Sequence, residues 1–281
     1  MGRSSLALAA AALAALGVAA CGGGNDEESA EPAPPPQRTI PEPRSEAPLP
    51  TRPPEPRTTP APARPSSRCT AATARALGSS RLTYVAVVRG RADAFRAPGS
   101  RRVARFGRLN ANGVPTVLAI LGRVQGPDCK PWYRVQLPLR PNGTVGYVRS
   151  RDVRVESVRT RISVDLSARR VTLYRDGRPV LEAPAAIGSA ATPTPIGHFY
   201  VNQRLIPRDP GGPFGPGAIG ISAFSPVLTG WAQGGPIAIH GTNRPDLIGQ
   251  RVSNGCIRVR NRDLVQLFDA ALSGTPVTIH P

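Results

Sequence analysis

Between residues 30 and 67 the chain carries 14 prolines among 38 residues. Proline fixes φ and offers no backbone N–H, so neither a helix nor a sheet can run through such a segment. The stretch reads as an extended polyproline-type linker, with Ser, Thr, Glu and Arg between the prolines. At ~3.1 Å per residue it can reach roughly 120 Å. Whatever folds must lie after it, in residues 68–281, a length that suits one or two domains.

Before the linker, Arg3 precedes a run of 15 apolar and small residues, Leu6 to Ala20. A membrane span needs about 20, so residues 1–20 read as a secretory signal peptide. The run ends in "GVAAC", which resembles a bacterial lipoprotein signal, in which Cys21 is lipidated. Cleavage after Ala20 with Cys21 incidental is the alternative. Residues 21–67 then form a lipid-anchored, Pro-rich disordered linker. The protein is expected outside the cytoplasm, at the outer face of the cell membrane or in the envelope.

After residue 68 the pattern turns to short β-like runs. Aromatic residues make up only 5% of the chain, but Val, Ile, Leu and Ala are plentiful enough for a β-rich core. "LTYVAVV", "VPTVLAIL", "WYRVQL" and "VGYVRSRDV" are separated by Gly, Pro and Asn turns. Residues 68–159 hold 18 basic against 4 acidic side chains, so most of the chain's net charge of +18 sits there, nearly all of it on arginine. A field of that sign concentrates polyanions. Export and the lack of an aromatic-rich nucleic-acid motif argue against nucleic acid and for anionic wall polymers or lipid headgroups. A merely solvated basic surface is the alternative.

Residues 160–281 read as a second β-rich domain. "RISVDL" and "RVTLYRDGRPVLEA" alternate with period 2, and Asp176-Gly177 is a strong hairpin turn. "ATPTPIGHFYV", a Gly/Pro-rich stretch from Pro207 to Pro236 and "IAIH" follow. One helix is expected over 262–273, its apolar face made by Leu264, Leu267, Phe268, Ala271 and Leu272. Asn261 would cap its start and Gly274 would end it.

The chemistry concentrates in "IHGTNRPDLIGQRVSNGCIRV", Ile239 to Val259. It places His240 and Cys256 16 residues apart, each beside a glycine, Gly241 and Gly255. A cysteine attacks as thiolate, and a nearby imidazole can take its proton. His240 closes an apolar strand. Cys256 follows Ser253-Asn254-Gly255 in a tight turn whose backbone N–H groups can stabilise an oxyanion. Arg258 offers a planar cation for a carboxylate. Two other readings compete. A zinc site from Cys256, His240 and His280 lacks a fourth ligand and the usual paired spacing. A papain-like peptidase has its cysteine before its histidine, the reverse of the order here.

Two family resemblances follow from these residues. Trp132-Tyr133-Arg134-Val135, Gly143, Gly146-Tyr147-Val148 and Asp152-Val153 make residues 82–156 similar to the bacterial Src-homology-3-like modules of cell-wall enzymes. "IHGT" with "IGQRVSNGCIRV", together with "ATPTPIGHFYV" and "GPFGPGAIGIS", resembles the L,D-transpeptidase (YkuD-like) catalytic domain over residues 160–281. Asn254 departs from the pattern, since many members have histidine there.

These resemblances imply a mainly all-β protein. A small β-barrel-like, wall-targeting module at 68–159 precedes an L,D-transpeptidase β-sandwich at 160–281 with one short C-terminal helix. Cys256 would be the nucleophile and His240 its base, oriented by the backbone carbonyl of Gly241. Gly255 and Cys256 would supply oxyanion N–H groups, and Ser253, Asn254 and Arg258 would support the loop or the substrate. No metal and no cofactor is implied. The reaction would be cross-linking of peptidoglycan tetrapeptide stems through a thioester on Cys256, with release of D-alanine. An L,D-carboxypeptidase and a non-catalytic wall-binding lipoprotein are the alternatives. The stretch 207–236 would cap the site. With Cys21 lipidated and Cys256 chemical, Cys69 and Cys129 are the disulfide candidate, against two free thiols.

Overall fold

The computed structural model describes residues 75–281. The signal segment, the lipidation candidate Cys21, the Pro-rich linker and Cys69 lie outside the described residues. Cys129 is held in a disulfide.

The first sheet comprises β1 (Arg75–Ala76), β2 (Thr83–Val88), β3 (Arg91–Phe95), β4 (Arg102–Gly107), β5 (Val117–Gln125), β6 (Pro131–Gln136), β7 (Val145–Arg149) and β8 (Val153–Val158). All its pairings are antiparallel, in the order β4-β3-β7-β6-β5-β2-β8, with β1 added on β5. Alternation along the strands sends Ala86, Val88, Leu118, Ile120, Val135, Leu137 and Val148 into one core. Strands β3 and β4 have no strong hydrophobic pattern. The inward residues of β3 are only Ala92 and Ala94, and its outward Asp93 pairs with Arg105 and Arg102 of β4 at 2.8 and 3.6 Å.

The second sheet comprises β9 (Thr160–Asp165), β10 (Arg170–Arg175), β11 (Arg178–Gly188), β12 (Gly197–Leu205), β13 (Ala218–Phe224), β14 (Pro236–His240), β15 (Arg251–Ser253), β16 (Ile257–Val259) and β17 (Pro276–His280), with helix α1 (Asn261–Ala270) between the last two. The order is β10-β9-β17-β12-β13-β14-β16-β11-β15, and β10 also pairs with β11. The expected sandwich is therefore one sheet that closes on itself and encloses its core. Asp176 and Gly177 adopt φ of 51° and 83° between β10 and β11. Two positive φ values in succession give the turn whose twist matches a hairpin.

Three expectations need correction. The 207–236 stretch, in which no strand was expected, contains β13, buried along nearly its whole length. Its glycines hid the strand, yet Gly220 is there because a side chain would meet Gln203, whose Cγ lies 2.5 Å from where a Cβ would stand. The helix ends at Ala270, and Leu272 lies beyond it, exposed. Asn261 does not cap the helix; its side chain is used elsewhere, as shown below. Gly274 lies past the helix end in a turn against the first sheet, where a Cβ would come within 2.7 Å of Val85.

The two sheets belong to one compact unit. Tyr200 of β12 is fully buried with Val85 and Val117 of the first sheet, and its hydroxyl donates to the Val117 carbonyl at 3.1 Å. Gln136 Nε2 donates to the His198 carbonyl at 2.8 Å. Among the described residues no helix is long and apolar enough to cross a membrane.

Candidate active site

Strands β14 and β16 run parallel, with Ile239 opposite Ile257 and His240 opposite Arg258. Side chains alternate between the two faces of a strand. Ile237, Ile239, Ile257 and Val259 enter the core, each no more than 1% exposed. Ala238, His240 and Arg258 are left on the other face. Cys256 stands one residue before β16, beside Ala238 and on that same face. The sheet register thus brings together the imidazole, the thiol and the guanidinium that the sequence singled out.

His240 is 4% exposed. Its Nδ1 lies 2.6 Å from the carbonyl oxygen of Gly241. A carbonyl only accepts, so Nδ1 carries the proton and Nε2 keeps its lone pair. Phe214 covers the ring at a centroid distance of 4.9 Å. Burial pushes the His240 pKa down to about 4; the bond to Gly241 opposes this and the charge of Arg258 adds to it. Burial pushes the Cys256 thiol up, while the Ala238 backbone amide and Arg258 pull it down. Burial thus disfavours the charged form of both groups, the thiolate and the imidazolium.

The loop carrying Cys256 is tied down from two directions. Ser253 Oγ donates to the Cys256 carbonyl at 2.5 Å and accepts from the Gly255 N–H at 3.1 Å. That N–H would have to leave Ser253 to serve an oxyanion. Gly255 has φ of 106°, a left-handed value that suits glycine. From β11 onward, Ser189 N–H and Thr192 Oγ1 donate to the Ser253 carbonyl, both at 2.9 Å. Thr194 Oγ1 donates to the Gly255 carbonyl at 2.9 Å and accepts from Gly188 N–H at 2.9 Å. Asn254 is exposed at the tip of the turn.

Gly241 has no room for a side chain, since a Cβ would strike the amide oxygen of Asn261 and lie 3.0 Å from Pro216. That amide oxygen accepts from the Thr242 N–H at 2.7 Å, holding the loop after His240. The Nε of Arg258 is buried without a hydrogen-bond partner. His198 is exposed on β12, and His280 on β17 contacts Ser163. Among the described residues no three His, Cys, Asp or Glu side chains are grouped to hold a metal.

Thr192, Thr194 and Phe214 carried no expected role in the site, and neither did Asn261 beyond its expected helix cap. The two threonines stand in the quoted "ATPTPIGHFYV", which was the available signal. Asn261 was read as a helix cap because it precedes a helix, whereas its side chain reaches back to the strand end.

The match to known proteins falls on this domain. Residues 159–279 match the YkuD family, described as the L,D-transpeptidase catalytic domain. Bacillus subtilis YkuD is 39% identical over 42% of this chain and 65% of its own length. Bacillus licheniformis YkuD is 38% identical over 45% of this chain and 68% of its own length. The chain thus spans about two thirds of each of these relatives. The solved catalytic domain of an Enterococcus faecium L,D-transpeptidase is 27% identical, covering 43% of this chain and 96% of that one, at a TM-score of 0.32. With the YkuD family match and the two Bacillus relatives, the chain belongs to the L,D-transpeptidase family.

Proposed function

We propose that this protein cross-links peptidoglycan by cysteine-based acyl transfer, with Cys256 as nucleophile and His240 as its base. The observation that carries this reading is the Nδ1–H bond from His240 to the Gly241 carbonyl, which leaves Nε2 unprotonated on the sheet face that holds Cys256. As Sγ attacks the carbonyl carbon of the last amide of a tetrapeptide stem, its proton passes to Nε2. Backbone N–H groups of the Cys256 turn stabilise the oxyanion. Collapse breaks the C–N bond, and D-alanine leaves with the proton held by His240. The amine of a second stem then attacks the thioester and passes its proton to His240. Collapse of that intermediate frees the Cys256 sulfur, which recovers the proton. Because burial disfavours both the thiolate and the imidazolium, proton transfer would accompany attack rather than precede it. Arg258 lowers the energy of the thiolate as it forms and offers a cation to a stem carboxylate.

The remaining parts fit an envelope enzyme. Lipid on Cys21 would tether the chain outside the cytoplasm. The Cys129 disulfide would close on Cys69. The basic first sheet, in the manner of a Src-homology-3-like module, would hold anionic wall polymers, and that binding should weaken steeply as salt rises.

The test incubates the full chain and its Cys256→Ala form with purified tetrapeptide muropeptides, followed by mass spectrometry. Loss of D-alanine with dimer formation, in the wild type alone, is the expected result. Loss of D-alanine without dimers would make the protein an L,D-carboxypeptidase. No turnover by a folded chain that still binds wall would support a non-catalytic wall-binding role.

A further inference from the structure

Along the outward face of the second sheet, Gln203 stands opposite Gly220 and Gly220 opposite Ala238. Ala238 neighbours Cys256. Strands lie about 4.8 Å apart, so Gln203 is three strands, roughly 14 Å, from the nucleophile. The side chain of Gln203 lies across Gly220, and its amide oxygen accepts from Asn110 Nδ2 at 3.0 Å and Asn112 Nδ2 at 2.8 Å. Both asparagines belong to the β4–β5 loop of the first sheet. Asn112 also accepts from Gln233 Nε2 at 3.0 Å. These amides sit in a cleft of about 340 Å³, walled by Phe106 and Leu109 of the first sheet and by Phe224 and Pro236 of the second.

The far wall of the cleft, the segment between β13 and β14, is gripped by the first sheet. Arg140 Nη2 donates to the carbonyls of Ser225 and Gly234 at 2.7 and 2.6 Å. The Asn142 side chain donates to the Phe224 carbonyl and accepts from its N–H, both at 2.9 Å. Asn202, which also lines the cleft in the bulge before Gln203, keeps a buried amide oxygen without a partner. A buried acceptor left unpaired is unusual.

We propose that this cleft is a subsite for the backbone amides of a peptidoglycan stem, so that the first sheet takes part in substrate recognition as well as in wall binding. The proposal rests on the cross-linking function above. Side-chain amides and apolar side chains make up most of the lining, with Arg105 the one charged group among them, a surface that can pair with a peptide backbone and with a stem carboxylate. The distance also fits, because an extended chain rises about 3.3 Å per residue, so roughly four residues span from Gln203 to Cys256. The occupant is the stem being cleaved or the stem whose amine accepts the acyl group.

The test uses the full chain in the Cys256→Ala form, with Asn112→Ala or Ala111→Trp added. Ala111→Trp fills the cleft from an exposed loop position and removes no bond of the network. Melting temperatures of all forms are compared first. Binding of a free tetrapeptide stem is then measured, with a stem-free glycan as control. The expected result is a stem Kd raised about fivefold or more by each change, with melting temperatures kept. In the Cys256 background, slower D-alanine release would assign the cleft to the cleaved stem. Slower dimer formation with unchanged D-alanine release would assign it to the accepting stem. Stem binding unchanged by both substitutions overturns the cleft alone. No stem binding to the parent chain overturns the cross-linking reading and the cleft with it.

Discussion

His240 and Gly241 are sequence neighbours, yet the ring nitrogen of one donates to the carbonyl of the other at 2.6 Å. In the proposed mechanism the chain would therefore orient its base with its own backbone, where other enzymes use a carboxylate. The geometry depends on Gly241 lacking a side chain, because a Cβ would strike Asn261. Gly241→Ala should lower kcat/KM by about 10²-fold, the scale of loss for a catalytic group displaced by ~1 Å. Steady-state D-alanine release checks this, with far-UV circular dichroism confirming that the fold is kept.

The acid limb of the activity profile should lie near pH 4. As the proposed base, His240 would act only when neutral, and its pKa is pushed down to about 4 by burial, with Arg258 adding to the fall. A pH–rate profile of kcat/KM measures this directly. In Arg258→Gln the limb should move towards neutral pH, since a positive charge near the ring has been removed. A limb at the ordinary histidine value in the wild type would mean that the ring is solvated in the working enzyme.

Stability should also track His240. In the unfolded chain the imidazole titrates near 6.5, and in the fold near 4. Between those values the unfolded state binds more protons, so stability is full above pH 6.5 and is lost as pH falls towards 4. The contribution is roughly 3 kcal/mol. Urea unfolding at several pH values should show this slope in the wild type and a shallower one in His240→Gln, with His198 and His280 common to both.

Thr194→Val should cost about 1–3 kcal/mol, because the buried hydroxyl satisfies both Gly188 N–H and the Gly255 carbonyl. The larger effect should be on chemistry, since the Cys256 turn loses one of its ties. Chemical denaturation and the alkylation rate of Cys256 separate the two.

Tyr200→Phe tests the joint between the sheets. It removes only a hydroxyl, leaving the Val117 carbonyl without that donor in a fully buried place. A loss of about 1–2 kcal/mol is expected by thermal or urea unfolding, with D-alanine release little changed.

Much of the fold was legible because it is locally encoded. Strand alternation in "RISVDL" and "WYRVQL" and the Asp176-Gly177 turn need only neighbouring residues, and strands β9, β6 and the β10–β11 hairpin follow them. β3 and β13 escaped for opposite reasons. β3 buries only alanines, so its alternation is faint, and β13 is buried on nearly every residue, so it does not alternate at all. The Asn261 cap was misread because local position was compatible with a role that a more distant partner, Thr242, had taken.

By itself the sequence determined that the chain is β-rich behind a proline-rich linker, and that His240 and Cys256 are the residues to watch. Residue type and short spacing carry that information, since a thiol, an imidazole and glycines at tight turns have few substitutes. Only the tertiary structure decided what surrounds them. The parallel β14–β16 register puts Ala238, His240, Cys256 and Arg258 on one face. Thr194 reaches Gly255 across 61 positions, and Asn112 reaches Gln203 across 91. Such contacts depend on which strands pair and in what register. That is settled by the burial of a shared core, a property of the whole folded chain that no local pattern contains.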